Sequence, residues 1–212
     1  MTIELEELEK LIMSNEELVN FVSKIKSLDK SKVTVIKSPL SKIPSWESFQ
    51  EHRRRSLENK NDFYVKTFDD NALVASNEIG YTKEESYGMF SGLKEFIACI
   101  DYVFGSGYFS SVSPLFIQTV RTDSAIPAHY DEKEVFHWDC VGSARWNFWP
   151  YTGEDGRTQP ERRLELGEPS MQLIVEAGDV IYLPYRIWHE VHSLTDERAS
   201  ITVFSWEEIV QL

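Results

Sequence analysis

The chain has 212 residues, 42% hydrophobic and 13% aromatic, enough for one packed domain and too apolar for a disordered tail. Lys and Arg number 22 against 35 Asp and Glu, a formal charge of −13, so no nucleic-acid partner is expected without a local basic patch. Cys99 and Cys140 stand in apolar stretches without a disulfide framework or CxxC pattern, and neither a basic leader nor a membrane-length apolar run is present. These features predict a cytoplasmic protein in a reducing compartment, with no membrane segment.

Leu5, Leu8, Leu11 and Ile12 recur at helical spacing, as do Leu18, Phe21, Val22 and Ile25. Ser14-Asn15-Glu16-Glu17 reads as a capping box opening the second helix. Val33 to Ile36 reads as a short strand, and Pro44-Ser45-Trp46 opens a helix to about Leu57. Its run His52-Arg53-Arg54-Arg55 reads as a solvated face beside Glu51 and Glu58. Residues 62–68 and 72–74 look extended, and Ser91 is placed to cap a helix carrying Leu93, Phe96, Ile97 and Ile100.

After residue 113 the character changes. Strand-like runs follow at 115–121, 126–131, 135–140, 144–149, 171–176, 179–183, 189–193 and 199–206, separated by turn residues such as Val141-Gly142-Ser143 and Ala177-Gly178-Asp179. Many short strands at regular spacing predict a sandwich or barrel. The break at 150–170 reads as a plain surface loop, with a lid over a pocket mouth as the alternative. The expected architecture is mainly β with flanking helices: an N-terminal helical and mixed extension, 1–112, packed on a β core, 113–212.

Two segments sixty positions apart carry chemistry. His129 and Asp131 stand at i and i+2, so an extended strand turns both side chains to one face. His189 supplies a third candidate ligand. Two imidazoles and one carboxylate on one side of an ion leave positions open, which suits a non-haem Fe(II) centre that binds a cosubstrate and O2. Spacing alone leaves a structural His–Asp hydrogen bond equally able to explain the motif. His192, three residues after His189, falls on the opposite parity and reads as an ordinary histidine.

The flanks narrow the choice. His129-Tyr130-Asp131, then Phe136, Gly142 and Trp146, then GDVIYLPYRIWHEV (178–191) and SITVFSW (200–206), stand in an order that resembles the JmjC-type (cupin-like) Fe(II)/2-oxoglutarate oxygenases. The likeness is greatest to the branch that hydroxylates side chains in proteins, and it covers roughly residues 113–206. It implies a double-stranded β-helix, or jelly roll, with iron at its mouth. It implies His129, Asp131 and His189 as metal and catalytic residues, with Fe(II), 2-oxoglutarate and O2 as cofactors. The implied reaction hydroxylates an unactivated C–H bond of an amino-acid, peptide or protein side chain, with succinate and CO2 leaving; a small-molecule substrate and a homodimer are both compatible. Trp138, Trp146, Phe148, Trp149, Trp188 and Phe204 read as barrel filler that also keeps the oxidant dry.

The chain departs from that family's pattern where the far carboxylate of 2-oxoglutarate is held. The Lys or Arg usual two residues after the glycine aligned with Gly142 is Ala144. The usual threonine before the first histidine is Ile126, and an asparagine on the last strand is Phe204. A hairpin of 135–139 with 144–148 would set Asp139 opposite Ala144, disfavouring a second carboxylate, and would let His137 donate to one. Arg145 becomes the anchor if a bulge at Gly142-Ser143 turns it inward. Gln118 is a weaker donor on the preceding strand, and Arg121, Arg186 and Arg198 are further anchor candidates without a geometric argument, each reading first as a surface arginine. Two alternatives therefore stand beside the oxygenase: a metal-binding cupin without oxygenase activity, and an iron oxygenase that uses another 2-oxoacid.

Overall fold

The structure is a computed structural model that describes residues 5–58, 65–67, 72–76, 87–105, 115–119, 122, 125–153 and 156–205. Helices α1 (Leu5–Met13), α2 (Glu16–Lys26), α3 (Trp46–Glu58) and α4 (Leu93–Phe104) precede most of the sheet, and α5 (Gln159–Arg163) interrupts it. The strands are β1 (Thr34–Ile36), β2 (Val65–Thr67), β3 (Ala72–Ser76), β4 (Leu115–Thr119), β5 (Ala125–His129), β6 (Val135–Val141), β7 (Ser143–Trp149), β8 (Met171–Glu176), β9 (Val180–Leu183), β10 (Trp188–Ser193) and β11 (Arg198–Phe204). They form two antiparallel sheets, β1-β9-β6-β11-β4-β3-β2 and β5-β10-β7-β8. From β4 onward the chain passes repeatedly between the sheets, the winding of a jelly-roll core.

Alternation along the strands divides the apolar residues into two cores. Between the sheets lie Ile117, Ile126, Val135, Ala144, Trp146, Phe148, Val175, Ile181, Leu183 and Val191. On the other face of the large sheet, Phe136, Trp138, Cys140, Val180, Tyr182, Ala199, Ile201 and Val203 form one cluster with apolar residues of α1 to α4. The rings of Phe96 and Trp138 lie 4.9 Å apart at that contact. The large sheet is thus covered on both faces, and β6 and β11 are almost wholly buried.

Three local expectations are corrected. Asn15, not Ser14, caps α2: its backbone is extended and its side chain accepts the Glu17 N–H, while the Ser14 hydroxyl turns back to Leu11 O. Gly92, not Ser91, precedes α4, in a left-handed conformation where a Cβ would strike the Lys42 carbonyl. Strands β6 and β7 are not a hairpin, because β6 pairs with β11 and β9 while β7 pairs with β10 and β8. Gly142, at φ +75°, carries the chain across the corner between the sheets. The facing survives without the pairing: Val135, Ala144, Trp146 and Phe148 share the interior.

A methyl group at Gly142 would collide with the Thr195 hydroxyl and the Glu197 carbonyl, and Thr195 Oγ1 also accepts the Ser143 N–H at 3.1 Å. Gly142→Ala therefore lowers stability by at least about 2 kcal/mol, from left-handed strain plus the clash. Denaturant titration reads this as an earlier midpoint, and an unchanged midpoint contradicts it.

Candidate metal centre

Antiparallel pairing of β5 with β10 makes His129 and His189 register partners. Their ring centroids are 4.3 Å apart. Asp131, two residues beyond His129, brings Oδ2 to 3.7 Å from His189 Nε2. One ligand atom from each of the three lies within 4.8 Å of the others, and among the described residues this is the one such group of His, Cys, Asp or Glu side chains. His189 is buried, while the Asp131 side chain keeps 27% of its surface, so the cluster opens to one side.

Backbone carbonyls orient both imidazoles. His129 Nδ1 stands 2.9 Å from Pro127 O, and His189 Nδ1 stands 3.1 Å from Ile187 O. Carbonyls only accept, so each ring carries its proton on Nδ1 and leaves the Nε2 lone pair free, the arrangement a metal-binding histidine needs. Burial pushes the Asp131 carboxyl up against the pull of His129, His137 and Lys133. Burial also pushes His189 well below its usual range, with His129 acting the same way. A neutral imidazole is already a ligand, and the carboxyl lacks a strong positive neighbour; a divalent cation fits both conditions.

The HxD strand is held from outside. Gln159 of α5 clamps Tyr130, accepting its N–H at 3.2 Å and donating to its carbonyl at 3.0 Å. Arg163 Nε donates to Ala128 O at 2.6 Å, and the Arg186 N–H donates to Asp131 O at 3.0 Å. Arg162, 5% exposed, lies over the rings of Tyr130, Tyr151 and Trp188 at 5.9, 5.2 and 5.8 Å. The 150–170 segment, expected as a plain loop, is therefore in its described part a strap tied to the candidate metal strand. Its cue was Thr158-Gln159-Pro160-Glu161: Glu161 accepts from the Thr158 N–H and hydroxyl, and Pro160 sits in the first turn.

The cosubstrate candidates separate. His137 faces the interior, 4.7 Å from the Trp146 ring, and Trp146 in turn lies 5.7 Å from His189. Arg145 does not turn inward. Register from Ser143 to Phe148 is continuous with β8 and β10, so no bulge intervenes, and Arg145 pairs with His192 and half-exposed Ile174 on the outer face. Gln118 also faces away: Ile117 belongs to the interior, while Gln118 pairs with Ala199 of the helix-side core. His192 bonds Glu190 at 2.7 Å on the outer face, as its parity predicts. Arg186 reaches Glu132 at 2.7 Å, and Arg121 lies outside the described residues.

Arg198, which the sequence offered only as an anchor candidate without a geometric argument, is the residue that sequence reasoning undervalued. Expected on the surface, it is 1% exposed and stands in the interior with Asp139 and His137. Its strand turns Ala199, Ile201 and Val203 toward the helices, so Arg198, Ser200 and Thr202 face inward. The inverted polarity of β11 was the available cue; that helices cover its apolar face was not visible in the strand itself.

Residues 99–208 match the JmjC domain family, just over half of the chain, and the chain belongs to that family. Ribosomal oxygenase 1 of Gallus gallus is 33% identical over 85 residues, 37% of this chain and 14% of that protein. The bifunctional lysine-specific demethylase and histidyl-hydroxylase NO66 of Drosophila persimilis is 34% identical over 74 residues, 34% of this chain and 10% of that protein. Among solved structures, the Escherichia coli ribosomal oxygenase YcfD in complex with cobalt and 2-oxoglutarate superposes with a TM-score of 0.60 at 13% identity, over 89% of this chain and 52% of that one. The chain thus spans a small part of these curated relatives and about half of YcfD.

If the cluster holds a metal, Asp131→Ala and His189→Ala each weaken divalent-metal binding by more than about a hundredfold, beyond the loss expected for a merely supporting group. Calorimetric titration with Fe(II) surrogates such as Co(II) reads it. Full binding by either folded variant removes that residue from the centre.

Proposed function

We propose that the protein is an Fe(II)- and 2-oxoglutarate-dependent oxygenase that hydroxylates a protein side chain, with His129, Asp131 and His189 as its iron ligands. The observation that carries this reading is the three-donor cluster whose imidazoles both present free Nε2 atoms. Family membership and the names of the relatives, ribosomal oxygenases and a histidyl-hydroxylase, support it. Bound Fe(II) would supply the redox chemistry by which O2 and a 2-oxoacid oxidise C–H to C–OH, releasing CO2 and the shortened acid.

The protein residues bind, orient and exclude water. Three ligands on one side leave room for a bidentate acid and for O2. Trp146 and Phe148, 2% and 1% exposed, wall the interior beside His189 and keep it dry. The strap and the Arg186 turn fix the backbone on both sides of Asp131, so its carboxylate is placed before any ligand arrives. Tyr130 alternates with His129 and Asp131 and so points to the opposite face of the strand, where its ring packs on Tyr151 and Trp188. The net charge of −13 supports a basic or neutral protein partner and no nucleic acid. Buried free Cys99 and Cys140 support a cytoplasmic setting, and no described helix is long and apolar enough to cross a membrane.

One observation favours a second reading, a metal-binding cupin without oxygenase activity: Ala144 is fully buried in the apolar interior and offers no cation for a cosubstrate. The test is iron- and O2-dependent conversion of 2-oxoglutarate to succinate, with anaerobic absorption of the Fe(II) protein as a second readout. Succinate formation and a visible charge-transfer band on adding the acid support the oxygenase. Metal binding with neither signal establishes the second reading instead.

A further inference from the structure

Behind the candidate metal centre lies a buried charge cluster to which neither the spacing of the metal ligands nor the family's usual anchor position assigns a role. Arg198 Nη2 stands 2.5 Å from Asp139 Oδ1 and 3.1 Å from His137 Nε2. His137 Nδ1 stands 2.7 Å from Thr202 Oγ1, and its Nε2 lies 3.4 Å from Asp139 Oδ2. All four residues are at most 5% exposed. The His137 ring lies 4.7 Å from that of Trp146, which in turn lies 5.7 Å from the His189 ring, so the cluster stands one ring away from the candidate ligands.

Burial acts to raise Asp139, but the Arg198 guanidinium beside it holds the carboxyl below its usual range. Burial lowers His137, leaving it neutral. With Arg198 donating to His137 Nε2, the His137 proton sits on Nδ1 and points at Thr202. The cluster is therefore one cation and one anion, jointly neutral, which offsets much of the desolvation cost of each. Its donors are not all used. Arg198 Nε and Ser200 Oγ are buried and have no hydrogen-bond partner. One spare N–H on a buried guanidinium and one spare hydroxyl two residues along the same strand suit one ligand chemistry, a carboxylate.

The opposite wall supplies no competing cation. Ala144 ends at its methyl group, and Arg145 points outward, so β7 places no cation in the interior. Arg198 enters from β11 of the large sheet instead. We propose that Arg198, steadied by Asp139 and assisted by Ser200, receives the far carboxylate of a dicarboxylic 2-oxoacid whose oxoacid end lies on the metal. The assignment rests on the oxygenase reading above and identifies which residues select its cosubstrate. Asp139 also sets a limit: a second carboxylate on Arg198 feels repulsion that a lone cation would not impose. Arg198 therefore binds a dicarboxylate more weakly than an uncompensated arginine would.

The experiment measures anaerobic binding of 2-oxoglutarate and of 2-oxobutyrate, a monocarboxylate of the same headgroup, to the Fe(II) protein by its charge-transfer band and by calorimetry. Arg198→Gln is expected to weaken 2-oxoglutarate at least tenfold and to leave 2-oxobutyrate within about twofold. Arg198→Lys retains an intermediate affinity, Asp139→Asn tightens 2-oxoglutarate, and outward Arg145→Ala changes neither acid. Because Arg198→Gln strands the Asp139 charge, the neutral pair Arg198→Gln/Asp139→Asn is measured too, with thermal melting as the check on folding. Equal loss for both acids, or a folded variant that keeps its 2-oxoglutarate affinity, overturns the assignment. Wild-type binding of 2-oxobutyrate but not 2-oxoglutarate overturns it while leaving the iron centre standing. Wild-type binding of neither acid brings down the oxygenase reading and this one with it.

Discussion

The pairing of β5 with β10 is the constraint on which the centre depends. Adjacent antiparallel strands are about 5 Å apart, and register partners on them point their side chains the same way. His129 and His189 meet because they are such partners, and Asp131 joins because it lies two residues on. The register changes immediately after, between His189 and Val191. A slip of one residue on either strand would turn one imidazole to the outer face. The interior cluster of Ile126, Val191, Trp146 and Phe148 prevents that slip, because the same slip would carry large apolar side chains into water. The packing that stabilises the barrel is thus also what aims the donors.

A buried arginine in a β interior needs a reason. Removing one partner of a buried ion pair costs about 3–5 kcal/mol, yet replacing the whole pair by apolar residues is often neutral or stabilising. Stability alone therefore does not account for Arg198 and Asp139 beside Ala144 and Trp146, where aliphatic side chains would fill the space. Orientation does. The guanidinium is fixed by an ion pair on one side and by a neutral imidazole on the other, and that imidazole is fixed in turn by Thr202. A side chain with four rotatable bonds is held in one pose ahead of any ligand, so little ordering entropy remains to oppose binding.

Much of this architecture was legible because its signals are local. Period-two runs bounded by Gly and Pro located the strands from 115 to 206 within a residue or two, and HxD placed two donors on one face by alternation alone. What escaped depends on what covers each face. In a one-sided sheet the apolar residues of β11 would face the barrel interior and Arg198 would face solvent. Here the helices preceding the jelly roll cover the large sheet, α3 lying against β11, so Ala199, Ile201 and Val203 face them and the polar set turns inward. Arg145 shows the converse. Its inward turn required a bulge at Gly142-Ser143, and Gly142 is used instead to cross between sheets, which leaves the parity of β7 intact. Ser14 failed as a cap because it closes α1 rather than opening α2: one residue past the helix end, its N–H still bonds Lys10 O.

The strap and the charge cluster act on opposite sides of the same three donors. Outside, Gln159 and Arg163 satisfy backbone groups on β5 that the edge of the small sheet leaves open, so the strand carrying His129 does not depend on a metal for its shape. Inside, the hydrogen-bonded chain Thr202–His137–Arg198 runs from β11 to β6 and back, tying the far wall to itself. Between the two, the centre lacks a comparably strong internal restraint: Asp131 and His189 stand 3.7 Å apart, beyond hydrogen-bond reach. A scaffold rigid on both sides and open at its donors is preorganised for an ion, since the backbone ordering has already been paid for by contacts that do not include the ion. The same contrast explains why Asp131 is raised while Asp139 is lowered, although both are carboxylates in one barrel: Asp139 has a guanidinium beside it, whereas burial outweighs the pull of His129, His137 and Lys133 on Asp131.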